Sequence, residues 1–273
     1  MALMDNRKEE ERKFHDNLRD GVIGQRWSPE LENLIQKNPL WDNMKYYSIE
    51  RKSRNAVIDW FSNNCKDKKV LDYCCGNGDD SFIIARKGAT EVIGIDLSQV
   101  SIDNCSQVAI SEGLGGRTSF YVMDAEDLKF EDNYFDIITE YGVLHHLDIK
   151  RAYHELARVL KPEGKCICVE TLGHNPFIRL YRKKTPDLRT KWEVEHILRK
   201  NDIEKAGEYF RRINILGFFH LATLAAVPFR NSPIFEFVLG MLETLDSVIL
   251  KVPFLKWQAW QVVFTLSEPK NIS

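Results

Sequence analysis

The sequence predicts an α/β fold built on a mainly parallel seven-stranded sheet whose last strand is antiparallel, and three observations carry that expectation. Between Lys68 and Thr171, short apolar runs alternate with helical segments, a pattern that implies crossover units and parallel strands. A glycine-rich turn, Gly76-Asn77-Gly78, follows the first run, at the point where a strand must turn into its helix. Aspartates recur at the ends of the first three runs: Asp72, Asp96 and Asp124.

Before the first strand, residues 7–20 (RKEEERKFHDNLRD) and 28–38 (SPELENLIQKN) read as helices. The second opens on Ser28 as N-cap, Pro29 at the first helical position and Glu30 in the first turn. A third helix over 49–64 repeats Ala56, Val57, Trp60 and Phe61 at helical spacing. Strands follow at 68–73, 91–96, 117–124, 134–141 and 164–171. Helices at 81–88, at 98–113 with Ser98 as cap, and at 149–160 before Lys161-Pro162 connect them. Beyond Thr171 the chain turns mixed and basic over 173–200, with a helix at 201–209 and a sixth strand at 212–222. A strongly apolar stretch, 235–250, precedes the closing strand at 259–266. The expected organisation is an N-terminal helical extension (1–66), an α/β core (67–172), a segment with the sixth strand (173–222), an apolar helical insertion (223–256), and the last strand and tail (257–273).

At 273 residues the chain can bury a sizeable core, and its net charge of −2 argues against a polyanionic partner such as nucleic acid. Six cysteines (65, 74, 75, 105, 166 and 168) fall mostly within apolar segments, the usage of a reducing, cytoplasmic compartment. Neither Cys74-Cys75 nor Cys166-x-Cys168 has structural-zinc spacing, so no metal is expected. The first dozen residues are densely charged and read as a solvated helix. The 223–256 segment is too short and interrupted to span a membrane. It suits a lid over an apolar pocket, a homodimer surface or a weak membrane contact.

The turn and the three aspartates form one constellation. Gly76 and Gly78 let backbone approach a ligand at the switch point beside strand one. Asp96, 24 residues after Asp72, is placed to accept hydrogen bonds from ribose hydroxyls. Asp124, with Ala125 and Glu126 behind it, suits an exocyclic amine.

The runs VLDYCCGNGD, IGIDLS, VMDAEDL, FDIITEYGVLHHL and ARVLKPEGK resemble class I methyltransferases of the type 11, ubiquinone/menaquinone superfamily, over about residues 68–171. The resemblance implies a Rossmann-like class I methyltransferase fold, S-adenosyl-L-methionine as cofactor, and a small-molecule substrate. It places Asp72, Gly76 and Gly78 at the methionine part, Asp96 with Leu97 at the ribose, Asp124 and Ala125 at the adenine, and Tyr141 beside the sulfonium. Cys74 stands where the family has its first motif glycine, so its backbone is expected in a region ordinary for L-residues.

Methyl transfer from a sulfonium is a displacement at an already activated carbon, so the protein must mainly position the acceptor and exclude water. A hydroxyl acceptor also needs a base. His145 and His146, just after strand four, are candidates by position and by chemistry. Glu195-His196 and His174 form a second group, with Arg189 as a clamp for an acidic substrate group. His15, Tyr46 and Tyr47 would reach the site if the N-terminal segment folds over it. The leading expectation is transfer to oxygen or nitrogen of a small, partly apolar metabolite. An RNA or protein methyltransferase, resting on Arg179, Arg182, Lys183, Lys184, Arg189 and Lys191, and a non-catalytic cofactor-binding scaffold are the competing readings.

Overall fold

The computed structural model describes residues 6–20, 32–33 and 37–270; the helix expected over 28–38 lies largely outside them. The strands are β1 (Lys69–Tyr73), β2 (Glu91–Asp96), β3 (Thr118–Val122), β4 (Phe135–Tyr141), β5 (Leu160–Thr171), β6 (Phe210–Phe219) and β7 (Gln261–Pro269). They form one sheet in the order β3-β2-β1-β4-β5-β7-β6. Pairs from β3 to β5 are parallel, while β7 runs antiparallel to both β5 and β6. The central strands are apolar on both faces because helices cover both; Val70, Leu71, Ile93, Ile95 and Ile138 are buried.

Helices α1 (Asn6–Arg19) and α2 (Arg51–Asn64) precede the sheet, and α3 (Asp79–Arg86), α4 (Gln99–Ser111) and α5 (Ile149–Val159) connect its parallel strands. Ser98 caps α4 as expected, its Oγ accepting from Ser101 N at 3.1 Å. Asp148 caps α5, accepting from the amides of Lys150 and Arg151. Helix α5 buries Ala152, Tyr153, Leu156 and Val159 in the main core beside Phe135 and Ile138. It ends one residue earlier than expected, since Leu160 already pairs with Phe135 in the sheet. The third strand is also shorter than its apolar pattern and stops at Val122, so Asp124 lies in the turn beyond it.

After β5 come α6 (Pro176–Lys184), α7 (Lys191–Glu195), α8 (Lys200–Glu204), a 3-10 stretch (Thr223–Phe229) and α9 (Phe235–Ile249). The expected helix at 201–209 divides between α8 and a 3-10 turn, Lys205–Glu208. Helix α9 packs Phe235 and Leu239 against Ile49, Ala226 and Val227, whereas Phe237, Met241, Leu245 and Val248 on its other side are exposed. Among the described residues, no helix is long and apolar enough to cross a membrane.

A buried polar chain ties α2 to the C-terminal strands. Ser53 Oγ meets His220 Nε2 at 2.8 Å and donates to Gln261 Oε1 at 2.7 Å. Gln261 in turn donates to the hydroxyl of Tyr141 at 3.0 Å. Burial pushes the pKa of His220 down to about 3, so the ring is neutral, held between Ser53 and the hydroxyl of Thr223.

Candidate active site

The strand ends build the first half of the site. Between β1 and α3 the backbone passes through three positive φ angles, at Cys74 (57°), Gly76 (55°) and Gly78 (81°). The expectation for Cys74 is therefore corrected: the turn imposes the left-handed conformation whatever residue occupies it. A side chain there costs on the order of 1–2 kcal/mol, offset by packing of Cys74 against the main core. Gly78 cannot carry a side chain, since a Cβ would lie 2.9 Å from the Phe82 ring and 3.0 Å from Cys105 Sγ. Gly76 opens a cradle that a Cβ would fill, 3.0 Å from the Arg19 guanidinium.

Asp72 lies within β1 and accepts from Ser81 N (2.9 Å) and Ser81 Oγ (2.6 Å). Burial, reinforced by the neighbouring Asp80 charge, pushes its carboxyl up to about 7. Asp96 closes β2, taking Gly76 N at 3.0 Å on one oxygen and Ser98 N at 2.8 Å on the other; Leu97 sits half-buried between them. Asp124 accepts from Glu126 N at 2.9 Å, and the carbonyl of Ala125 takes the Tyr73 hydroxyl at 2.7 Å.

Helix α1 lies across this edge and lends it cations. Lys8 pairs with Asp124 (2.7 Å) and Glu126 (2.9 Å), Arg7 pairs with Glu126, and Arg19 stands 3.7 Å from Asp96. Asp96 and Asp124 thus already face hydrogen-bond donors, the kind of group that ribose hydroxyls and an adenine amine present. A cavity of about 130 Å³ runs along the turn, lined by Asp72, Cys74, Gly76, Asn77, Arg19 and Tyr141. Asp72, the Gly76 cradle and this cavity suit the amino-acid tail of an adenosyl cofactor, while Asp96 and Asp124 lie outside its lining, covered by Arg19 and Lys8 of α1.

A larger cavity of about 330 Å³ adjoins it, sharing Leu18, Met44, Tyr47 and Tyr141. Its lining is largely apolar, with Phe14, Tyr46, Ile178, Leu224 and Trp260 among the contributors. Two histidines stand on its wall, each with a carboxylate behind it. His145 Nδ1 donates to Glu170 Oε2 at 2.8 Å, and Glu170 also accepts from Leu144 N at 2.6 Å. His146 Nδ1 meets Glu11 Oε2 at 3.0 Å, while Thr190 binds the other Glu11 oxygen. The two rings lie 4.3 Å apart. Burial opposes a charge on His146, yet Glu11 and Glu193 hold its pKa above the ordinary value. The next histidine, His15, goes the other way under burial and the nearby Arg19 charge.

Two groupings here, Glu11–His15–His146 and His145–His146–Glu193, have the spacing to hold a metal ion. Their carboxylates are already engaged by protein groups: Glu193 lies 3.3 Å from Arg182 and 3.5 Å from Arg189. The carboxylates of both groupings thus have protein partners, and we read the network as imidazole–carboxylate pairs.

Glu195, His196 and His174 fall outside the cavity. Glu195 and His196 are exposed; His196 stacks on Trp192 at 3.6 Å and bonds its carbonyl. His174 accepts from Lys200 N at 3.0 Å at the edge of Trp257. Arg189 lines the cavity, with Nη1 and Nη2 taken by Thr185 and Asn43 and its buried Nε 3.5 Å from Glu193. Of the basic cluster, Arg182 is buried against Glu193, and Arg179, Lys183, Lys184 and Lys191 are exposed. Sequence reasoning passed over Glu11, Glu170 and Glu193. Glu170 alone left a local trace, a carboxylate inside the apolar run CICVET.

Sheet order, glycine turn and acidic strand ends together define a Rossmann-like class I methyltransferase. The family profile described as "Methyltransferase domain" matches residues 70–164. The chain is 32% identical to a 2-phytyl-1,4-naphtoquinone methyltransferase of Synechococcus elongatus over 60% of its own length and 72% of that protein. It is 37% identical to a chloroplastic tocopherol O-methyltransferase of Arabidopsis thaliana, over 46% of its own length but only 37% of that relative. Among solved structures, geranyl diphosphate C-methyltransferase from Streptomyces coelicolor A3(2) superposes with a TM-score of 0.63, covering 98% of this chain and 100% of that one at 14% identity, a likeness of fold. The chain belongs to the class I S-adenosylmethionine-dependent methyltransferases of the ubiquinone/menaquinone type, a family of small-molecule methyltransferases.

Proposed function

We propose that this enzyme methylates an oxygen of a small, partly apolar acceptor seated in the larger cavity. The observation that carries the reading is the His145–Glu170 pair, with His145 on the wall of an apolar cavity that shares Tyr141 with the strand-end cleft. S-adenosylmethionine supplies the activated methyl group. Asp96 would hold the ribose and Asp124 the adenine side, with Asp72 and the Gly76–Gly78 turn at the amino-acid tail. Tyr141, tied to Gln261 and Glu50, lines both cavities and would border the reacting centre. Glu170 accepts the Nδ1 proton of His145, which leaves the second ring nitrogen to receive a hydroxyl proton as the new bond forms. Phe14, Leu18 and Tyr47 from the N-terminal segment close the cavity against water.

The test is incubation with radiolabelled cofactor and fractionated cell extract. Label is expected in small apolar organics, released as iodomethane when hydriodic acid cleaves a methyl ether. Label in RNA or protein would overturn the acceptor class, and an ether-resistant methyl would place the transfer on nitrogen or carbon.

Asp72 adds a pH prediction. Its carboxyl titrates near pH 7 because burial and Asp80 favour the neutral form, whereas a cofactor ammonium group binds the ionised form. Affinity for S-adenosylhomocysteine should therefore weaken by up to about tenfold per pH unit below 7. Calorimetry at pH 8, 7 and 6 measures this, and Asp72→Asn should bind weakly with no such slope. A slope surviving in Asp72→Asn would remove the assignment.

A further inference from the structure

Behind His145 and Glu170 lies a second carboxyl that the reaction as described does not use. Glu140 sits on β4, fully buried, at the register position of Cys168. Glu170 follows two residues later on β5, equally buried, and the two side chains come within hydrogen-bonding reach. Two ionised carboxylates buried side by side would repel each other strongly. One of the pair must hold a proton.

The hydrogen bonds say which. Glu170 accepts two strong donors, Leu144 N at 2.6 Å and His145 Nδ1 at 2.8 Å, so its ionised form is the better satisfied. Glu140 accepts one longer bond, Val143 N at 3.3 Å, and its Oε1 is buried with no donor facing it. A bare carboxylate oxygen in that position is costly, whereas a carboxylic acid has a hydrogen of its own to give. The other titratable groups near Glu140 are Cys166 and Cys168 on β5, Cys74 on the turn and Tyr153 on α5. None of these supplies a positive charge.

We propose that Glu140 is a positioning residue: a protonated carboxylic acid at neutral pH whose hydroxyl donates to Glu170, completing the cage that keeps Glu170 ionised and His145 in its Nδ1–H tautomer. The assignment rests on His145 being the base. It adds a third member to that pair, acting without touching the acceptor. No net chemistry occurs at Glu140, since its proton stays on the shared hydrogen bond through the cycle.

Infrared difference spectroscopy in D2O at neutral pH tests the proton directly. Wild-type minus Glu140→Gln should show the carbonyl stretch of an undissociated carboxylic acid. In kinetics, Glu140→Gln keeps a donor toward Glu170 and should retain kcat within about threefold. Glu140→Ala should lose at least about tenfold in kcat, with KM and S-adenosylhomocysteine affinity near wild type. Absence of the acid band, or a glutamine variant as impaired as the alanine variant, overturns the proposal. Should the alanine variant fail to fold, the infrared comparison still decides. A wild-type acid band together with full turnover in His145→Ala would strike the base assignment and leave the protonation of Glu140 standing.

Discussion

Replacing His145 by alanine is expected to lower turnover by about 10²-fold or more while S-adenosylhomocysteine binds almost as before. The ring lies on the cavity wall and is 8% exposed, and none of its hydrogen bonds reaches the glycine turn or the strand-end aspartates. Removing it deletes the proton acceptor and leaves the cofactor contacts in place, which separates its effect from general damage. Some loss of stability accompanies the change, because Glu170 keeps a buried charge with one partner fewer. Thermal unfolding of the variant, beside its kcat and its calorimetric Kd, keeps the two effects apart. Unchanged turnover would move the base to the neighbouring Glu11–His146 pair, whose own substitution is then the decisive measurement.

The second large effect concerns binding. Asp96→Ala should weaken the affinity for S-adenosylmethionine and its demethylated product by at least about 10²-fold, the loss of two hydrogen bonds to a charged acceptor at about 1.5–3 kcal/mol each. Asp96 also receives Gly76 N and Ser98 N, so part of the loss comes through a slackened turn. Asp96→Asn separates the two contributions, since one amide oxygen can still take a backbone donor. It should bind better than the alanine variant and worse than wild type. Affinity untouched by the alanine substitution would mean that Asp96 does no more than brace the turn, and the nucleoside site would have to be sought elsewhere.

Most of the sheet could be read directly from the residues, because strands and connecting helices announce themselves through local periodicity. The Ser98 cap, the glycine turn and the placement of Asp96 are likewise short-range features, settled by neighbours a few positions away. Cys74 shows the limit of such reading: its own preference pointed to an ordinary backbone region, but the turn between β1 and α3 prescribes the dihedral and the residue conforms.

The acceptor side was legible only in part. His145 and His146 stood out by their place after a strand, while Glu195-His196 looked like a base pair in sequence and proved to face solvent. By itself the sequence determined the α/β order, the turn and the acidic strand ends, since each depends on contacts within one crossover unit. Only the tertiary structure decided which carboxylate orients which histidine. Glu170 reaches His145 across 25 residues because β5 lies beside β4, and Glu11 reaches His146 across 135 because α1 folds over the sheet edge; no local pattern connects either pair.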